Sequence, residues 1–127
     1  MVSWKRSVLP IAAAGLWIAF SEFLRNELLF KSKWVDHYLG LGLVFPSGSV
    51  NGAVWGIWSF LFAAGLFVLM RRFTLVQSGL VAWVFGFLLM WLVIGNLGVL
   101  PFGLLVWAVP LSLVEVFGAA WIIHRLA

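Results

Sequence analysis

Glu115 is the residue whose type and place ask most of the surrounding chain. It stands near the middle of the apolar run 103–123, where an acidic side chain costs several kcal/mol to insert into a bilayer. Ala108, Ser112, Glu115 and Ala119 recur at i, i+4, i+7 and i+11. That spacing forms one stripe of a helix, so the carboxyl is expected to face the bundle or a neighbouring subunit rather than lipid. Pro110 has no N–H and frees the carbonyl of Val106 one turn away. Trp17 and Trp83 also fall near mid-span, where an indole N–H has no water and needs an acceptor. They and Ser112 are the expected partners of Glu115, and no basic residue is expected at its depth. Two chemistries fit: a carboxyl that binds a proton or a cation, or a glutamic acid that makes one interhelical hydrogen bond.

A second group gathers at the outer end of the first apolar run. Glu22, Arg25 and Asn26 occupy i, i+3 and i+4, Glu27, Asp36 and His37 follow, and Asn51 and Asn96 stand at the outer ends of the next two runs. Glu22, Arg25, Asn26 and Asn96 would make a polar mouth or a headgroup pocket. The plainer reading, ion pairing and capping at a wet interface, is worth only about 0.2–1 kcal/mol for such a pair and is the one the sequence favours. His37 and His124 are expected on opposite faces, so they cannot jointly hold a haem or a metal. Asp36-His37 has no serine motif or metal-ligand spacing beside it. The absence of cysteine removes thiolate sites, iron–sulfur clusters and thiol nucleophiles. No catalytic residue, metal or cofactor is therefore expected, and the reading is non-enzymatic.

These groups need elements to hold them, and composition restricts the choice. With 65% hydrophobic and 9% charged residues and a mean hydropathy of +1.14, the chain is far from a soluble domain, which averages about 25% charged. Such apolar surface must face lipid or itself. Crossing a bilayer takes about 20 apolar residues in a helix. Four segments qualify, at about 8–24, 52–70, 75–95 and 103–123. Closed barrels are the alternative that lipid permits, but these runs lack period-two alternation. The expected fold is an all-α four-helix transmembrane bundle forming a single domain over residues 1–127. Thr74-Leu75-Val76-Gln77 has the form of a capping box, Ser49 or Asn51 can cap the second helix, and Gly95-Asn96-Leu97-Gly98 before Pro101 reads as a stop.

Charge orients the spans. Lys5, Arg6, Arg71, Arg72 and Arg125 fall on one side without an acid, whereas Arg25, Lys31 and Lys33 accompany Glu22, Glu27 and Asp36 on the other. The positive-inside rule then places both termini and the Arg71–Arg72 turn in the cytoplasm, in an inner-membrane, multi-pass arrangement. Lys5-Arg6 before an apolar run has the form of a signal peptide and is read here as the start of a first span. Trp4, Trp34, Trp55, Trp58, Trp91, Trp107 and Trp121 fall near the expected interfaces, as amphipathic rings do. The basic residues form no stripe with interleaved aromatics, so nucleic acid is not an expected partner.

Between the first two spans, Phe30, Trp34, Val35 and Tyr38 recur at helical spacing against Glu27, Lys31, Lys33 and Asp36. An amphipathic interfacial helix is expected there, over about 25–39, and Phe45-Pro46-Ser47-Gly48 reads as its return. Small residues recur as Ala12-Ala13-Ala14-Gly15, Gly52-x-x-x-Gly56 and Gly118-Ala119-Ala120, which allows close helix packing within one chain or in an oligomer. Four spans and a glutamate give the outline of the small multidrug antiporters. Their glutamate lies mid-way along the first helix, however, and the mid-span acid here is on the fourth. The leading expectation is a small protein in contact with membrane lipid that binds or conducts a small solute or ion along a polar path with Glu115, as a homo-oligomer. The alternative is an accessory or scaffold subunit of a larger membrane complex, in contact with pigment, quinone or lipid.

Overall fold

The apolar run 8–20, with Pro10 near its start, forms the body of the first helix, α1 (Trp4–Phe23), and the helix does not end where the apolar run does. It continues as a π-helical turn over Leu24–Leu29, closed by the Phe30 N–H on the Arg25 carbonyl at 2.9 Å. Phe30 then leaves helical geometry at φ −114° and ψ 3°, and a separate short helix, α2, runs over Lys31–Gly40. The segment expected to form one helix over 25–39 is thus divided at Phe30. Its first part extends α1 and its second part is a separate helix, Lys31–Gly40, so no single interfacial helix spans 25–39. The computed structural model describes residues 4–127, with side chains from Arg6 onward. Expectations for the side chains of Trp4 and Lys5 lie outside the described residues.

α3 spans Ser49–Leu69, and Asn51 Oδ1 accepts the Gly48 N–H at 3.0 Å at its start. α4 covers Leu75–Asn96. It opens with the expected reciprocal cap, in which Gln77 N–H donates to Thr74 Oγ1 and Thr74 N–H to Gln77 Oε1, both at 3.1 Å. A π-helical turn over Val84–Leu88 interrupts it. The chain turns through Gly98 at φ +80°, a left-handed conformation that favours glycine. A 3-10 turn, Phe102–Leu104, then leads into α5 (Leu105–Leu126). α1 with its extension, α3, α4, and the last turn with α5 are each long and apolar enough to cross a membrane. Among the described residues there is no strand.

α1 packs mainly on α3 and α5, and α4 packs on α5. Small residues let the backbones approach: Ala14 of α1, Ala63 of α3, and Ala119 and Ala120 of α5 are buried in the core. At Gly118 the approach is tightest for the site, because an added Cβ would lie 2.7 Å from the Trp17 indole nitrogen. That contact lets α1 deliver Trp17 to α5. Trp91 is buried, 5.7 Å from the Phe87 ring and 6.2 Å from Trp83.

Candidate functional site

The Ala108–Ser112–Glu115–Ala119 stripe faces inward along its whole length, and all four residues are buried. Both mid-span tryptophans reach it, though not through the carboxyl. Trp17 Nε1 donates to the backbone carbonyl of Glu115 at 2.8 Å. Trp83 Nε1 donates to Ser112 Oγ at 2.8 Å, and Ser112 in turn donates to the Val109 carbonyl at 2.8 Å. These bonds satisfy the indoles and pin α5 to α1 and α4. The Glu115 carboxyl, 1% exposed, receives no hydrogen bond from an N–H or hydroxyl group on either oxygen, and the Glu22 carboxyl lies beside it.

Its other neighbour is a cation. Arg25 Nη1 lies 3.7 Å from Glu115 Oε1, while Arg25 Nη2 donates to Glu22 Oε1 at 2.6 Å. This overturns the expectation that no basic residue reaches the depth of Glu115, and the reason lies in side-chain direction. Cα–Cβ bonds tilt toward a helix's N-terminus. α1 and α5 are antiparallel: Arg6 near the start of α1 and His124 near the end of α5 line one cavity at the far end of the molecule. Arg25 therefore reaches back along α1 while Glu115 reaches up along α5, and the two close a gap that their positions in sequence do not suggest.

Glu22 and Arg25 are 5% and 6% exposed, so the pair is not the wet interfacial contact that the sequence favours. The cluster is supported from three sides. Asn26 Nδ2 donates to Glu22 Oε2 at 2.9 Å and to the Glu22 carbonyl at 3.2 Å, and Trp34 Nε1 of α2 donates to Asn26 Oδ1 at 3.2 Å. The Arg25 guanidinium sits 5.2 Å from the centre of the Phe87 ring, and Phe87 is fully buried. Such a cation–π contact gains strength away from water. Arg25 and Phe87 both belong to π-helical turns, which recur at functional sites because they re-aim side chains within a helix. Asn96 does not join: it is exposed at the end of α4 and lines no part of the cavity described next.

Above the cluster lies a cavity of about 700 Å³. Glu22, Arg25 and Asn26 form its polar floor. Its walls are mostly apolar and aromatic, with Phe23, Phe30, Trp34, Tyr38, Phe45, Trp55 and Trp91 among them. Phe45 stacks on Trp34 at 5.8 Å and meets Tyr38 edge-on at 5.1 Å, so the return segment after α2 forms one wall. His37 Nε2 lies 2.8 Å from the Gly98 carbonyl, tying α2 to the turn after α4. Sequence reading missed Phe87 and Trp34 as members of the site. The available signal was Trp34 eight residues from Asn26 on a segment already expected to be helical. Phe87 carried none, being one of 12 phenylalanines.

Among the described residues no group of three His, Cys, Asp or Glu side chains is placed to hold a metal. Comparison of the chain with protein-family models, with curated proteins and with solved structures finds no match in any of the three.

Proposed function

We propose that this chain is a multi-pass inner-membrane protein, with both termini cytoplasmic, that binds a small solute or ion in the cavity floored by Glu22, Arg25 and Asn26. The observation that carries this reading is the Glu22–Arg25–Glu115 cluster. Three ionisable groups, each under a tenth exposed, sit inside helices apolar enough to span a bilayer. Ionisable groups in such a place are costly and mark solute or ion paths. A cavity of about 700 Å³ ends on two of them, Glu22 and Arg25, within the range of about 300–1,000 Å³ typical of small-molecule sites. Trp34 and Tyr38 of α2 line one side of the cavity.

The test uses Gly56, which lines the cavity and has open space where a Cβ would go. Gly56→Cys in this cysteine-free chain is expected to react with a small charged thiol reagent added from the outer side. Bound solute should slow that reaction. A Cys at 56 that stays inert while one at exposed Ser47 reacts would show a cavity closed to water and overturn the reading. A chain that holds together only within a larger complex would favour the accessory-subunit role instead.

A further inference from the structure

The cluster holds two acids and one base, and Asn26, which donates to Glu22, carries no charge. Every ionisable group that faces it can be named from the sequence. α1 contributes Glu22 and Arg25, α5 contributes Glu115, and α3 and α4 contain no Asp, Glu, Lys, Arg or His between Ser49 and Leu69 or between Leu75 and Asn96; of the ionisable groups of α2, Tyr38 lines the cavity, His37 lies on the Gly98 carbonyl, and Lys33 and Asp36 are exposed. Glu27, the next acid, is occupied by Lys31 at 2.8 Å. A buried net charge is costly, so neutrality of the cluster requires one further positive charge. Neither Glu115 oxygen receives a hydrogen bond from an N–H or hydroxyl group, and the Glu22 carboxyl lies beside it, so the two acids share one site. The cavity reaches the cluster at Glu22 and Arg25 and is walled by aromatic rings, whose faces attract cations.

We propose, resting on the solute-binding reading above, that the ligand is a small organic cation, an ammonium on an apolar body, whose head takes the place of a proton in the Glu22–Arg25–Glu115 cluster. At rest, one carboxyl carries the proton and the cluster is neutral. The incoming ammonium donates to Glu22, and Arg25 shifts onto Glu115. A movement of roughly 1 Å brings the 3.7 Å contact to the length of a charge-assisted hydrogen bond. The proton leaves to water through the cavity. Two carboxylates, one guanidinium and one ammonium remain, again neutral, so one cation bound means one proton released.

Three probes of one shape and different charge test this on the purified full-length protein in nanodiscs: tryptamine (cationic at pH 7), tryptophol (neutral) and indole-3-propionate (anionic). Titration calorimetry in buffers of different ionisation enthalpy is expected to show tryptamine bound in preference to both others, with one proton released. Its Kd should fall about tenfold per pH unit, as for any ligand competing with one proton. Glu115→Gln leaves one acid and one base, and is expected to abolish both the proton release and the pH slope. Preference for indole-3-propionate would assign the site to anions through Arg25 and overturn this proposal while leaving a solute site in place. Equal binding of all three, or tryptamine binding without proton release in the wild-type chain, would also overturn it. Failure of all three to bind, with Gly56→Cys inert, would remove the solute site itself.

Discussion

Replacing Arg25 with leucine separates a buried charge cluster from a surface ion pair by magnitude alone. At a wet interface the Glu22–Arg25 contact would be worth about 0.2–1 kcal/mol. In the structure the guanidinium is buried, makes a 2.6 Å bond to Glu22 and lies over Phe87. A hydrogen bond to a charged group contributes about 1.5–3 kcal/mol, and a desolvated cation–π contact about 2 kcal/mol. Removing one partner of a buried ion pair also strands the other, at a typical total of about 3–5 kcal/mol. Arg25→Leu is therefore expected to lower stability by about 3–5 kcal/mol, since the two estimates agree in size. Reversible unfolding in bicelles, followed by tryptophan fluorescence, measures this. The companion variant Glu22→Leu/Arg25→Leu/Glu115→Leu removes every charge together. It is expected to be as stable as the natural chain or more so, because apolar replacement of a whole buried cluster is often neutral or stabilising. A loss below about 1 kcal/mol for Arg25→Leu would return the pair to the class of surface contacts and remove the argument for a buried site.

Further outcomes follow from single contacts. Ser112→Ala leaves the N–H of the partly buried Trp83 without its acceptor and is expected to cost about 1–3 kcal/mol; combined with Trp83→Phe the losses should fall short of additive, as a double-mutant cycle would show. Gly118→Ala drives a methyl group into the Trp17 indole and should cost about 1–3 kcal/mol, whereas Gly65→Ala, which meets nothing within 4 Å, should stay within about 0.5 kcal/mol; equal effects in thermal unfolding would contradict the packing of α1 on α5. Single cysteines at Ser47 and Thr74 are expected to label from opposite sides of the membrane with an impermeant reagent, and labelling of both from one side would refute the orientation.

The four long helices were legible in the residues because their causes are local. About 20 apolar residues must become helix to satisfy their backbone in lipid, and caps such as Thr74 with Gln77 mark the ends within one turn. The inward stripe of Ala108, Ser112, Glu115 and Ala119 was legible for the same reason, since helical periodicity fixes which residues share a face. What sequence left apart, tertiary structure joined. Glu115 and the Glu22–Arg25–Asn26 group read as two features at two depths, and they form one cluster because antiparallel packing aims a long arginine down one helix and a glutamate up the other. The π-helical turn that carries Arg25, the break at Phe30, and the arrival of Trp34 on Asn26 have no period or cap to announce them. Whether a charge is wet or buried depends on which helices close around it. That is decided by contacts between residues far apart in the chain, which no local spacing records.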